Sequence, residues 1–567
     1  MHVDRIPTHL RGRDYVSYLL RQTYREDGKV KHRTLSNLTP LPIAAIEAIR
    51  AILKGDQVGV WGSDFEIERS LPHGHVLAVL GMLRQLQLDR LLWSRPCRER
   101  DLVVAMVVRQ VLKPSSKLAT SRSWQSSTLA SLLGVEDADQ DELYSALDWL
   151  LSCQPKVETR LAERHLHQGA LVLYDLTSVV VEGTHCKLAK LGHSRDGKPG
   201  TLQVEFGLVT DQEGRPVAVE VFAGNTGDPA TVATQVEKLR QRFGLEQVVL
   251  VGDRGMLTSA RISKLKELGG IGWISALRGV QIRGLVESGD LQLGLFDDRN
   301  LAEISSPRFP GERLVVCKNQ ELARLRSAKR EDLLQATEKA LQKVASSVAA
   351  GRLAGKDKIA LRLGRVVNRY KMAKHFELVI EEQSFSFQRK QQQIAEEASV
   401  DGIYVIRSSV TAERLDAAQL VHSYKRLAQV ERAFRTLKSM DMRVRPIRHR
   451  LEDRVRAHIF LCMLAYYVRW HLEQAWRPLL FGDEQPPPRQ DPVAPAQRSQ
   501  PALDKARTQR LADGTQVHDF STLLEELATL SRETIRMTAA ETTFDKLTTP
   551  TPLQQHAFSL LGIPITL

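Results

Sequence analysis

Residues 166–280 alternate between short apolar runs and polar breaks in a pattern that predicts strands closed by a crossover. The run at 170–181, Ala-Leu-Val-Leu-Tyr-Asp-Leu-Thr-Ser-Val-Val-Val, is apolar and rich in β-branched residues, and reads as a buried strand. Stretches 201–210 and 215–223 read as two more strands, joined by the hairpin Asp211-Gln-Glu-Gly214. Val232, Val236, Leu239 and Phe243 then recur at helical spacing, and 247–252 reads as a short buried strand. Three strands, a helix and a strand allow the last strand to lie beside the first.

Elsewhere the pattern is coarser. Residues 15–38 read as a hairpin turning at Asp27-Gly28, and 74–165 read as helical, broken at Pro96 and Pro114. Between 281 and 402 the chain offers strand-like 313–317 and 376–381 and a charged helical stretch near 330–350. The segment 483–515, with Pro486, Pro492, Pro495 and Pro501, reads as a flexible linker or exposed loop, and 521–531 as an amphipathic helix. The longest apolar run, 459–468, is far short of the roughly 20 residues a membrane span needs, so it reads as a core helix.

Three acidic residues stand out against this frame. Asp175 sits inside a buried strand, where a carboxylate is costly unless it has a task. Asp253 ends the fourth strand, where ligand and catalytic groups collect in α/β sheets. The run 424–438 reads as one helix with an apolar seam (Leu427, Val430, Phe434, Leu437) beside a polar stripe of Tyr424, Glu431, Arg435 and Lys438. Taken alone, that stripe also fits a solvated face with one-turn charge pairs.

Charge sharpens the reading. Lys and Arg number 80 against 67 Asp and Glu, a net +13 that favours a polyanionic partner, although a generic basic protein also fits. Arg443, Arg445, Arg448, Arg450, Arg454 and Arg456 cluster just after the Glu431 helix, which suggests a phosphate-binding surface. Five scattered cysteines form no CxxC pair and point to reduced thiols, and the first residues show no export signal. His185, Cys186 and His193 lack a fourth ligand at zinc spacing. Asp228, before Pro229 at a helix start, reads as an N-cap.

Tyr174-Asp175-Leu-Thr-Ser178, Gly224-Asn-Thr-Gly-Asp228, Gly252-Asp253-Arg-Gly-Met256 and Tyr424…Glu431…Lys438 together resemble the DDE transposases of bacterial insertion sequences. Within these the resemblance is to the group with a Tyr-x2-Arg-x3-Glu-x6-Lys motif, and it covers about 165–475. It implies an α/β fold: a ribonuclease H-like core interrupted by a β-rich insertion domain, with a mainly helical N-terminal region. The corresponding divisions are 1–165 (hairpin and helices, for DNA-end recognition or dimerisation), 166–280 (core), 281–402 (insertion), 403–480 (core), 481–515 (linker) and 516–567 (tail).

By the same resemblance, Asp175, Asp253 and Glu431 are the catalytic carboxylates and stand within bridging reach of two Mg2+ ions, with Mn2+ as a substitute. Tyr424, Arg435, Lys438, Arg443, Arg445 and Arg448 face DNA. Position 427 departs from the motif: it is leucine rather than arginine, Arg426 points about 100° away on the helix, and Arg435 is the candidate replacement. The implied partners are double-stranded DNA, as transposon ends and target, and a second copy in a DNA-bound homodimer, with no membrane. The implied location is the bacterial cytoplasm, at the nucleoid. The implied activity is cleavage at transposon ends and joining of the 3′ ends to target DNA. The alternatives are a nuclease of the same fold without strand transfer, and a non-catalytic DNA-binding regulator, against which the three carboxylates count.

Overall fold

The computed structural model describes residues 1–10, 13–55, 65–292, 294, 296–439, 441–489, 491–537 and 542–567. The first strands form because Asp27 and Gly28, both at positive φ (51° and 73°), turn the chain back on itself. β1 (His2–Leu10), β2 (Arg13–Glu26) and β3 (Lys29–Asn37) make an antiparallel sheet. Ile46 of α1 (Ile43–Lys54) packs with Val3 and Leu38 to give this small unit its core. β4 (Phe65–Pro72) follows. The helical stretch predicted at 74–165 comprises α2 (Gly74–Gln85), α3 (Leu88–Leu92), α4 (Arg98–Leu112), α5 (Lys117–Ser121), α6 (Leu129–Leu133) and α7 (Gln140–His165). Two of its breaks fall at Pro96 and Pro114, as predicted, while those at 86–87, 122–128 and 134–139 carry no proline; Asp139 with Glu142 closes a capping box at the start of α7.

The central sheet begins with β5 (Leu171–Val180), β6 (Lys190–Leu191), β7 (Leu202–Thr210) and β8 (Pro216–Ala223). α8 (Asp228–Glu237) then crosses to β9 (Val248–Val251), and α9 (Ser259–Leu268) leads to β10 (Ile271–Ala276). The predicted crossover is present: β9 pairs with β5 in parallel. After α10 (Gly279–Glu287) come β11 (Leu301–Ile304) and β12 (Arg313–Lys318), then α11 (Gln320–Ala349), α12 (Lys356–Tyr370), the hairpin β13 (Phe376–Ile380) and β14 (Phe385–Arg389), and α13 (Gln391–Ala398). β15 (Ile403–Ser408) re-enters the sheet. The order across it is β11-β12-β15-β10-β9-β5-β7-β6, with β8 beside β7.

Two expectations change here. Residues 281–402 are not a β-rich body apart from the sheet, because β11 and β12 extend the sheet by pairing antiparallel through β15. What stands apart is mainly helical: α11 and α12 close over Phe376 and Phe385 around a core of Leu334, Leu341, Val344, Ile359 and Leu363. The segment 483–515 is not a free linker either. Lys425 Nζ donates to Pro492 O and Val493 O (2.6 and 3.0 Å), Asn319 Nδ2 donates to Val493 O (3.1 Å), and Val493 is buried. Proline-rich composition signalled loop, but the backbone carbonyls it leaves open are taken up by side chains.

The remaining elements are α14 (Ala417–Lys425), α15 (Leu427–Lys438), α16 (Glu452–Ala475), α17 (Gln500–Thr508), α18 (Phe520–Ala528), β16 (Ser531–Met537), β17 (Thr542–Leu547) and α19 (Pro552–Leu561). α16 carries the predicted apolar run and is buried along most of its length, packing on α4, α7 and β8. Among the described residues no helix is long and apolar enough to cross a membrane. β16 pairs with β17 and β4, so the first unit comprises Met1–Pro72, Leu530–Thr549 and Thr566–Leu567; the second is His73–Thr529 with Pro550–Ile565.

Candidate active site

The site starts from strand register. β5 and β9 run parallel, with Leu173 opposite Val251 as the last pair of the ladder; Asp175 lies two residues on within β5, and Asp253 two residues past the end of β9. The backbone stays in place past β9 because Gly252 N–H donates to Ile274 O at 3.1 Å. Beyond it, Asp253 O accepts from Met256 and Leu257 N–H, which fixes the turn that presents the carboxylate.

α15 supplies the third carboxylate. Val430, Ala433, Phe434 and Leu437 form its buried stripe, as the spacing predicts. Phe434 meets Phe206 of β7 edge-to-face at 5.5 Å, and Phe206 pairs across the ladder with Thr177 of β5. Residues two apart on a strand share a face, so α15 lies on the face that bears Asp175. Glu431, three residues before Phe434, then looks over the edge of that packing into solvent. Asp175 and Glu431 line one cleft of about 740 Å³, together with Arg195, Asp196, Arg435 and Lys438.

The predicted single helix at 424–438 is instead two segments. At Arg426 (ψ −17°) the ladder tightens, and Gln429 N–H reaches back only to Arg426 O, at 2.8 Å. The break falls where the β7–β8 turn docks: Arg426 Nη1 donates to Gln212 O at 3.2 Å, and Gly214 abuts Gln429. Tyr424 therefore belongs to α14, yet its hydroxyl is still within the influence of Asp253, Glu431 and Asp175. Burial first, and those carboxylates second, push its pKa up, so it stays a neutral donor.

Electrostatics mark Asp175 as a strongly perturbed acid. Burial, reinforced by Asp253 and Glu431, pushes it up to about 6, against the Leu176 N–H (2.8 Å) and the Arg195 guanidinium. Its fellow carboxylates supply only oxygen donors, which suit a hard cation such as Mg2+ or Mn2+ better than zinc. As the side chains stand, no three His, Cys, Asp or Glu groups among the described residues converge tightly enough to hold an ion. Asp175 and Glu431 share one cleft, whereas Asp253 and Tyr424 line a neighbouring cavity of about 310 Å³, and what links the three carboxylates is their mutual repulsion at Asp175.

Several participants were not anticipated. Arg195, in the loop after β6, donates to Leu176 O and to Asp228, and its own N–H donates to Ser178 Oγ at 3.0 Å. Asp228 is therefore not an N-cap: the cap position is Gly227 and the Asp228 side chain caps nothing. It faces Asp253 across Gly255, whose missing Cβ would lie 3.6 Å from Asp228 Oδ2 and 3.7 Å from Asp253 Oδ2. Asp196, the residue after Arg195, accepts from Lys438 Nζ (3.0 Å) through Oδ1 and forms an ion pair with Arg445 through Oδ2 (2.6 Å to Nη1). A charged pair before a glycine reads locally as a solvated turn, so nothing in the pattern singled out these two.

The arginine cluster divides. Arg445, Arg448, Arg454 and Arg456 each have a carboxylate within 4 Å (Asp196, Glu182, Asp148 and Glu220). Arg435, Arg443 and Arg450 are exposed and have no carboxylate partner among the described residues. The five cysteines are all free thiols.

With this geometry in place, comparison with known proteins identifies the class. The family model of the transposase DDE domain matches residues 167–468, more than half of the chain, and the chain belongs to that family. Residues 5–59 match the IS1634 family transposase N-terminal domain, so the protein is a DNA transposase of the insertion-sequence DDE type. Among solved structures, a piggyBac transposase synaptic complex with hairpin DNA aligns over 80% of this chain and 76% of that one, at 10% identity and a TM-score of 0.33. A Mos1 transposase paired-end complex with left transposon end aligns over 32% of this chain and 59% of that one, at 13% identity and a TM-score of 0.13. No curated protein matches the chain.

Proposed function

We propose that this transposase cleaves DNA at transposon ends and joins the freed 3′ ends to target DNA, using Asp175, Asp253 and Glu431 as a divalent-metal-binding triad. The observation that supports the reading is the parallel β5–β9 register, whose last pair Leu173–Val251 lies two residues before each aspartate, with the helix that bears Glu431 packed through Phe434 on the sheet face of Asp175. The parallel β5–β9–β10 strands flanked by the β7–β8 hairpin support a ribonuclease H-like core, built from 166–280 and 403–480. The helical body at 320–398 is then the insertion.

Bound to these carboxylates, divalent cations would activate the attacking oxygen and stabilise the leaving oxygen of a phosphodiester. The chain's own groups do the positioning. Tyr424, held neutral, donates to a non-bridging or leaving oxygen. Arg435, one turn beyond Glu431 and exposed without a carboxylate partner among the described residues, meets the strand next to the scissile phosphate in place of the arginine absent at 427. Lys438 and Arg445 reach backbone phosphates once these replace Asp196, and Arg443 and Arg448 extend that track. Two copies would pair two transposon ends.

The test compares Mg2+ with Ca2+ on intact and pre-nicked duplexes that carry the element's terminal inverted repeats. Asp175→Asn, Asp253→Asn and Glu431→Gln should each lose both cleavage and joining while still binding the ends. A Glu431→Gln protein that joins pre-nicked ends at the wild-type rate removes Glu431 from the triad. Cleavage without any joined product in the wild type would make the protein a nuclease.

A further inference from the structure

A second cavity, of about 330 Å³, lies between the end of α4, α5 and the 443–458 segment, lined among others by Gln110, Lys117, Tyr144, Arg443, His449 and His458. No Asp or Glu lines it among the described residues. Lys117 is the anomaly. It is only 5% exposed, no hydrogen bond or ion pair to its ammonium is found among the described residues, and Nζ is not among the fully enclosed unpaired atoms, so it opens onto the recess. Buried charges are ordinarily paired, because an ion withdrawn from water without a partner is strongly disfavoured.

The neighbours do not neutralise it. Cys462 is pushed up to about 12 by burial and stays a thiol. His449 is lowered to about 4 and His458 well below its usual value, by burial first and by Lys117 among the charges, so both rings are neutral. Lys117 itself is lowered by burial to about 8, which leaves it mostly charged at neutral pH. At the mouth stands Arg443, exposed, in the left-handed region at φ 43° and without a carboxylate partner among the described residues. Arg445 lines both this cavity and the cleft that contains Asp175 and Glu431, so the two recesses adjoin.

We infer that this recess is an anchoring site for a backbone phosphate of double-stranded DNA, with Lys117 as its buried cation and Arg443 at its entrance. The inference rests on the DNA-cleaving reading above and adds a contact outside the carboxylate cleft. A phosphate here would supply the counter-charge the fold withholds, and would hold the duplex beside the carboxylates without touching the reacting atoms.

The experiment measures affinity for mixed-sequence duplex DNA across a salt series for the wild type, Lys117→Met and Lys117→Arg. Lys117→Met removes a buried unpaired charge, so without DNA it should melt at a higher temperature than the wild type, which also shows that it folds. Its log affinity–log salt slope should fall by about one unit, uniformly across sequences, while Lys117→Arg keeps the wild-type slope. In parallel, inorganic phosphate should raise the wild-type melting temperature more than chloride at equal ionic strength; should Lys117→Met fail to fold, equal effects of the two anions would overturn the site. An unchanged slope in folded Lys117→Met overturns the inference, and if phosphate still stabilises the wild type, the recess takes a free anion instead. A wild type that binds no duplex at any salt takes down the DNA-cleaving reading as well, and the two failures are distinct.

Discussion

Asp196 holds Lys438, the last residue of α15, at 3.0 Å and holds Arg445 with its other oxygen, so two cations proposed to meet DNA are occupied by one buried carboxylate. DNA must therefore exchange with Asp196 rather than meet bare charge. Asp196→Asn should raise affinity for duplex DNA by roughly three- to tenfold and steepen the salt slope by about one unit. The free protein should lose about 2–4 kcal/mol, because the two cations are left facing each other. Titration of duplex at several salt concentrations checks this; a slope equal to the wild type's would mean that neither cation reaches DNA.

Glu205 of β7 is 3% exposed, and its Oε2 has no hydrogen-bond partner among the described residues. Burial first, then Asp228, push it up to about 7, against Arg195. Its folded pKa lies above the unfolded value near 4.5. The folded state thus keeps a proton that the unfolded chain releases, and stability declines as pH rises from about 4.5 to 7. Glu205→Gln should be more stable than the wild type by about 2–4 kcal/mol above pH 7 and equal to it below about pH 4. Denaturant unfolding at pH 4 and pH 8 measures the difference, and a constant offset at both would remove the titration argument.

Gly214 closes the β7–β8 turn at φ 83°, and a Cβ there would lie 2.7 Å from Gln429 Cβ. Gly214→Ala should cost about 2–4 kcal/mol, from the left-handed backbone and the clash together. It should also slow cleavage, because the clash displaces the helix that carries Glu431. Gly244→Ala is the control: its φ is 65° with nothing within 4 Å, so it should lose only the backbone share, about 1–2 kcal/mol, and leave cleavage intact. Equal effects at the two sites would show that the turn does not position α15.

Lys425 ties down the proline-rich segment through two carbonyls. Lys425→Met should lower stability by about 1–3 kcal/mol and open the chain to proteases within 483–499. Limited proteolysis followed by mass mapping reads this directly. Cleavage there at the same rate in wild type and variant would restore the linker reading.

What the sequence determined by itself was local. Apolar, β-branched runs marked β5, β7, β8 and β9; Asp27-Gly28 marked the β2–β3 turn and Asp211–Gly214 the β7–β8 turn; and a carboxylate inside an apolar strand marked Asp175. Each of these signals is carried by residues within a few positions of one another, where dihedral preference and side-chain period act. The tertiary structure decided the rest. Antiparallel pairing drew β11 and β12 into the sheet, and the docked β7–β8 turn broke the helix at Arg426. Asp196 and Lys438 meet although they are 242 positions apart, and Asp228 was turned from a helix cap to a partner of Arg195. A buried Lys117 looks like any surface lysine in the chain. The reason is that an ion pair or a desolvated charge is defined by what long-range packing brings within a few ångströms, and no local period encodes that distance.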